Sequence, residues 1–336
     1  MRAGRRRNVL VFLLLGICLL VLFYWNLAAG TVFYAPGKLL ALFSERSSVD
    51  PAASILFKIR LPRALMALLL GGALAVSGFL LQTYFANPIA GPFVLGVSSG
   101  ARLAVAVCMM LFFSKSRALS SFWLVFAAFL GSMLALGFLL AVSSRVRHMA
   151  ALLVAGIMIG YICSAATDFL LSFAADSEIV SLHSWSQGSF SGMSLGQVRM
   201  AALLIAGCGV ALLFLAKPLG AVQLGESYAE SLGVNVLWLR TLLILLASLL
   251  AATVTAFAGP VSFVGVAAPF LIQRLLRTNR PQLVLPAAFL GGAVFCLASD
   301  FIARTAFQPT ELALSTVTSF FGAPIVLWLL VKRRGK

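Results

Sequence analysis

The sequence predicts an all-α, polytopic integral membrane protein with about ten transmembrane helices. Three observations carry that prediction. Of the 336 residues, 62% are hydrophobic; only 10% are charged; and the apolar residues come in long runs without alternation. A soluble domain of this length carries roughly 25% charged residues, so the chain lacks the polar surface that water demands. In lipid, a span needs about 20 mostly apolar residues. Its backbone must be satisfied internally, which leaves helices or a closed barrel. Barrel strands alternate over about 10 residues. Runs such as VLVFLLLGICLLVL at 9–22 do not alternate, which selects helices.

The expected spans are 8–28, 60–85, 93–113, 121–143, 150–173, 197–215, 236–257, 262–276, 282–304 and 310–331. The eighth is short, and Gly259-Pro260 separates it from the seventh in a tight turn. The first follows Arg2, Arg5, Arg6 and Arg7, as a signal peptide would. It runs on past Tyr24 and Trp25 without a small-residue cleavage site, so it reads as an uncleaved span with an aromatic belt. All five cysteines lie inside apolar runs and none forms C-x-x-C. That reads as burial of small apolar residues, with no metal site.

An even number of spans puts both termini on one side. With the termini in the cytoplasm, fifteen basic residues fall inside and nine outside, with Arg102 left within a span. The positive-inside rule selects that orientation. The net charge of +16 is then a topology signal, not a nucleic-acid footprint. The chain reads as a single transmembrane domain over 1–336, with no fixed-period repeat. External loops are expected at about 29–59 and 174–196, the latter with a short helix. A cytoplasmic segment is expected at about 216–235. That segment carries Glu226 and Glu230, with Leu224, Tyr228, Ala229 and Leu232 at helical spacing. Helices that rest on headgroups carry a Lys/Arg-rich polar face. An acidic helix suits a groove on a protein partner better, with Gly225 and Gly233 at its ends.

No G-x-x-x-x-G-K-[ST] occurs, so this chain binds no nucleotide by a P-loop. His148 and His183 are the only histidines and fall on opposite sides. No catalytic constellation is present, and the chain is not read as an enzyme. Glycines at 71, 72, 78, 96, 100, 156, 160, 291 and 292 read as close helix packing. Gln82, Arg102 and Asp168 within spans are costlier and face a polar interior or a partner. Arg102 and Asp168 are a possible pair. Asp300 and Arg304 sit one turn apart, within reach of a local i,i+4 pair.

Residues 60–102 read RLPRALMALLLGGALAVSGFLLQTYFANPIAGPFVLGVSSGAR. This resembles the permease family of type II ABC importers for iron-siderophores, haem and cobalamin. The matching motifs are Arg60–Arg63, Gly78 to Gln82, Asn87–Pro92 and Leu95–Ala101. LGESYAESLGV at 224–234, GPVSFVGVAAPFLIQRLL at 259–276, SDFIAR at 299–304 and FGAPIVLWLL at 321–330 resemble later family segments in the same order. The chain departs from the pattern at Phe270, where the family has His, at Ile89 for Leu, and at Ala313 to Ser315 for Pro-x-Gly.

The resemblance implies a cobalamin-importer-permease-like fold in a bacterial cytoplasmic (inner) membrane. It implies transport of a metal chelate, iron-siderophore before haem or cobalamin. The partners it implies are nucleotide-binding ATPase subunits, a periplasmic or lipid-anchored substrate-binding protein, and a second permease copy (identical, or a paralogue). Membrane lipid surrounds the assembly. ATP and Mg sit on the ATPase, and this chain binds no cofactor. Carried over residue by residue, Arg60, Arg63 and Arg304 dock the binding protein. Leu224, Gly225, Glu226, Ala229, Leu232 and Gly233 couple to the ATPase. Asn87, Pro88 and Ile89 form a cytoplasmic gate. Read as residues alone, Arg60 and Arg63 could instead snorkel to headgroups, and 87–92 could be a plain turn. Other readings are the same architecture importing a small oxyanion such as molybdate, an ion-coupled secondary transporter, or a structural subunit.

Overall fold

The computed structural model describes residues 2–30, 32–45, 50–113, 121–143 and 149–333. Regular structure among the described residues is helical throughout. The helices are α1 (Arg2–Ala28), α2 (Pro36–Glu45), α3 (Pro51–Ile55), α4 (Leu61–Tyr84), α5 (Val97–Phe113), α6 (Ser121–Ser143) and α7 (Met149–Leu171). They continue as α8 (Asp176–Ser186), α9 (Leu195–Val222), α10 (Glu226–Ser231), α11 (Val236–Ala258), α12 (Val264–Leu276), α13 (Pro281–Thr305) and α14 (Leu314–Arg333). A π-helical turn at Leu56–Arg60 leads into α4, and a 3₁₀ turn at Pro92–Leu95 precedes α5.

Each of the ten expected spans has a counterpart: α1, α4, α5, α6, α7, α9, α11, α12, α13 and α14. Seven stretches are long and apolar enough to cross a membrane; α5, α12 and α14 supply shorter apolar helices. The short helices α2, α3, α8 and α10 fall in the expected loops. Four boundaries differ from expectation by four residues or more: α1 starts at Arg2 instead of 8, α14 starts at Leu314 instead of 310, and α9 and α5 differ as follows. Helix α9 continues to Val222 through Pro218, so the first third of the segment at 216–235 is helical. Burial of Leu215, Ala216 and Leu219 keeps that face packed where Pro218 removes a hydrogen bond. Helix α5 begins at Val97 instead of 93, because Gly96 takes φ +75°, a left-handed conformation that costs glycine nothing.

Helix α4 is the axis of the bundle. It packs on α13, α11 and α12, and 83% of its span is buried; the corresponding figure for the peripheral α1 is 11%. Without a hydrophobic drive between helices in lipid, close approach through small residues supplies the contact. Gly71 on α4 faces Gly292 on α13, and Gly100 on α5 faces Gly131 on α6. Gly78 on α4 lies so close to Gly265 on α12 that a side chain on Gly78 would overlap the Gly265 carbonyl. The sequence reading of these glycines as packing positions therefore holds at 71, 78, 100 and 292.

Two reversals enter the bundle. After α4 ends, the chain folds back until Pro92 touches Gly265, which also lies against the Leu74 carbonyl. Leu74 is ten residues inside α4, about 15 Å from its end. The second reversal, 259–263, carries Gly259 at φ +72° and Phe263 at φ +61°. Non-helical backbone at such depth is tolerated only when protein covers it. Here Ala90, Gly91, Pro92, Gly259 and Val261 are all buried.

Both chain ends reach the same end of the bundle. Arg7 on α1 donates to the Leu276 carbonyl at 2.7 Å, and Arg274 on α12 stacks on Trp328 of α14 at 4.7 Å. Gly78→Val is expected to cost about 1–3 kcal/mol by overpacking. A lowered midpoint in a thermal melt of the solubilised protein would report it. Gly137→Ala, whose new methyl meets nothing within 4 Å, does not lower the midpoint, because alanine is the better helix former.

Candidate functional site

The functional features lie at the two ends of α4. At the end reached by Thr83, Gln223 caps α9 and Gly225 turns the chain at φ +136° into α10. Gly233, at φ +79°, turns it out again, and Asn235 caps α11 by accepting from the Trp238 N–H at 3.0 Å. Ala229 is fully buried against the bundle. Leu224, Tyr228 and Leu232 are 74%, 50% and 59% exposed, an apolar surface larger than a solvated helix needs. Glu226 pairs with Arg240 of α11, which fixes α10 to the bundle, while Glu230 is exposed. All six residues expected at the coupling surface thus sit on one short helix and its two glycine turns.

The turn at 87–89 stands beside that surface. Asn87 accepts from the Ile89 N–H through its side chain at 3.1 Å, and its own N–H donates to the Gln82 carbonyl. Pro88 is half-buried and Ile89 is 41% exposed. The Gln82 amide reaches the Val266 carbonyl at 3.0 Å and accepts from Gln273, tying the turn's root to α12. Gln223 donates to Thr83 at 3.4 Å. The α9 cap and the end of α4 are thereby in direct contact.

At the opposite end of α4 the three expected docking arginines are placed differently from three free cations. Arg60 is 6% exposed. It donates to the carbonyls of Leu27 (2.8 Å), Ala28 (2.9 Å) and Val32 (2.5 Å) and lies over Tyr34. Arg304 donates to the Ala29 carbonyl (2.9 Å) and to the Asn26 carbonyl (2.7 Å). The carbonyls of Asn26, Leu27 and Ala28 belong to the last turn of α1, which has no basic residue of its own there. The two guanidiniums also offset the negative end of the α1 dipole. Arg63 forks onto Asp300, with Nε and Nη2 at 3.0 and 2.9 Å from Oδ1, and its far edge meets Glu311. Arg304 Nε lies 3.5 Å from the second Asp300 oxygen. Asp300 therefore serves two arginines, where the sequence suggested only its local neighbour Arg304. Asn26, Tyr34 and Glu311 were not singled out from the sequence. Their partners lie between 26 and 278 residues away, and no local pattern reports such contacts.

Arg102 and Asp168 form no bond with each other. Asp168 is exposed on α7, and the buried Nε of Arg102 has no partner among the described residues. His148 lies outside the described residues.

Asp300 is 1% exposed. Asp300→Asn leaves two buried guanidiniums short of a counter-charge, which is expected to cost about 3–5 kcal/mol. Glu311→Gln, at an exposed carboxylate, is expected to cost about 1 kcal/mol or less. Thermal melts of the two variants beside the parent protein measure the contrast.

Comparison with known proteins agrees with this geometry. Residues 18–332 match the model of the FecCD transport family. The chain is 36% identical over 336 residues to the hemin transport system permease protein HmuU of Yersinia pestis, covering 98% of this chain and 96% of that protein. It is 34% identical over 332 residues to the vitamin B12 import system permease protein BtuC of Citrobacter koseri, with the same coverage. A solved structure described as an inward-facing metal-chelate type ABC transporter superposes with a TM-score of 0.84 at 28% identity. That match covers 96% of this chain and 99% of the other. With ten apolar helices among the described residues and a match along nearly its whole length, the chain belongs to the FecCD transport family as a membrane-embedded permease.

Proposed function

We propose that this permease passes a metal chelate inward, driven by ATP hydrolysis on separate ATPase subunits that dock on α10. The observation that carries this reading is the exposed apolar and acidic face of α10, held at both ends by glycine turns. The chain offers no P-loop of its own, so a partner supplies the nucleotide, Mg and the energy. Cargo of the metal-chelate class is supported by the hemin and vitamin B12 permeases among the relatives and by the metal-chelate type neighbour. A second permease copy completes the pathway. A substrate-binding protein delivers the cargo at the Arg63 end.

The proposal places both termini and α10 in the cytoplasm, in line with the positive-inside count. Closure of two ATPase subunits then pushes α10 and, through Gln223 and Thr83, the Asn87–Ile89 turn. That turn serves as the cytoplasmic gate. At the outer end, docking is an exchange of partners. Glu311 is the exposed carboxylate on Arg63, and an acidic residue of the binding protein takes its place there. Charge complementarity of this kind sets orientation and encounter rate. Arg60 and Arg304 stay with α1 and hold the edge in position.

L224D/L232D is expected to abolish capture of the ATPase, at least about tenfold weaker, because both changes fall at a desolvated interface centre. The solubilised variant should melt as the parent does. Complexes of permease, ATPase and binding protein in vesicles should accumulate haem, cobalamin or a ferric siderophore only with ATP. Uptake that persists without the ATPase overturns the proposal. Glu230→Cys should react with an impermeant maleimide only after cells are opened. Labelling of intact cells would reverse the orientation.

A further inference from the structure

The end of the bundle where both termini meet carries a second recognisable surface, away from α10. Helix α12 stops at Leu276 with Arg277 in the left-handed conformation, φ +51°. A side chain there costs roughly 1–2 kcal/mol, where a helix end of this shape favours glycine. The turn leaves the Leu276 carbonyl open, and Arg7 fills it from α1, with Nε at 3.2 Å and Nη2 at 2.7 Å. One turn back, Arg274 lies flat on the Trp328 ring of α14. Three helices distant in sequence thus bring Arg7, Arg274 and Arg277 together, with Arg5 and Arg6 on the same turn of α1. Arg5, Arg6, Arg274 and Arg277 are exposed.

No acidic residue opposes them. The nine carboxylates of the chain include none in 1–44, in 264–280 or in 314–336. Topology alone would ask for basic residues at this end, but not for their assembly across three helices by a cross-helix hydrogen bond and a stacked ring. Below the cations the surface turns apolar: Leu10, Leu13, Leu275, Leu327 and Trp328 are between 48% and 64% exposed. A cationic rim over an apolar groove, with an indole at the boundary, matches a phospholipid in section: phosphate above, acyl chains below.

We propose that this corner of α1, α12 and α14 binds an anionic phospholipid, its phosphate held by Arg274 and Arg277 and its chains lying along α1 and α14. The two guanidiniums supply the positive charge that draws an anionic headgroup. The ATPase is the less suitable occupant, because α10 packs on α9 and α11 and not on this corner. A second copy of the chain is disfavoured too, since two such corners repel one another.

The test uses the full-length permease, solubilised and titrated with phosphatidylglycerol or phosphatidylcholine, with bound lipid counted by native mass spectrometry. The parent protein should retain phosphatidylglycerol in preference to phosphatidylcholine, and excess inorganic phosphate should not displace it. R274Q/R277Q should weaken phosphatidylglycerol retention about twenty-five-fold, as each cation near anionic headgroups contributes about fivefold. R274K/R277K should keep most of it, which separates charge from folding. R199Q, at the far end of the bundle, should change nothing. The proposal is overturned if R274Q/R277Q binds as the parent does, or if both lipids are held equally. It is also overturned if the lysine variant loses as much as the glutamine one. Loss of the ATPase from the complex with lipid retention intact would assign the corner to protein docking and overturn it as well.

Discussion

Capping of the α1 C-terminus by two borrowed arginines is the constraint on which this end of the bundle depends. Helix α1 has no basic residue in its own last turn, and the Asn26 and Leu27 carbonyls take hydrogen bonds from arginines of other segments. Arg60 arrives from the turn before α4 and Arg304 from the end of α13. Each satisfies carbonyls that would otherwise cost several kcal/mol in a lipid-facing setting. The same two residues therefore fix where α4 and α13 stand relative to α1. Arg63 and Asp300 then lock α4 to α13 directly. A peripheral helix with little burial of its own is held by charge-assisted bonds at its end instead of by its face.

From that anchored end, α4 runs through the bundle as its most enclosed helix, and its other end carries the Asn87 turn. The length between is packed at glycines, where backbones touch and little can slide. Displacement of one end of α4 is then passed on as movement of the whole rod, not absorbed by side-chain rearrangement. The contact between Gln223 and Thr83 puts the α9 cap, and α10 just beyond it, beside that rod. The geometry supplies a short path of direct contact from the exposed face of α10 to the turn.

The fold was legible because composition and span length leave few solutions in lipid. Nearly every expected span lies within a few residues of its helix. The exceptions are instructive. The sixth span is expected to end at 215, but α9 continues through Pro218 to Val222, since burial on one face outweighs a single lost hydrogen bond. The start of α5 was read too early, since periodicity does not reveal that Gly96 takes a left-handed conformation. The short helix at 226–231 was legible because its signal is local: helical spacing and glycine ends. The arginine cluster was legible only in part. Residue type and position near a helix end were visible, but the partners Asn26, Tyr34 and Glu311 are set by tertiary contact. A sequence shows a cation near a membrane surface without showing whether a carbonyl has already claimed it.

The two reversals have a consequence for how the chain enters the membrane. A 13-residue helix such as α12 is too short to partition into a bilayer as an independent span. Its preceding residues 259–263 are non-helical and would expose unpaired backbone to lipid if they arrived alone. The insertion machinery therefore has no stable product to release after α11. Residues 236–305 must be held back and delivered as a unit, once α13 can cover α12 and once Leu74 and Pro92 are in place to receive Gly265. Biogenesis of this chain is consequently a problem of timing as well as of hydrophobicity. Substitutions at Gly259 or Gly265 would act first on the yield of inserted protein, before any effect on transport is measured.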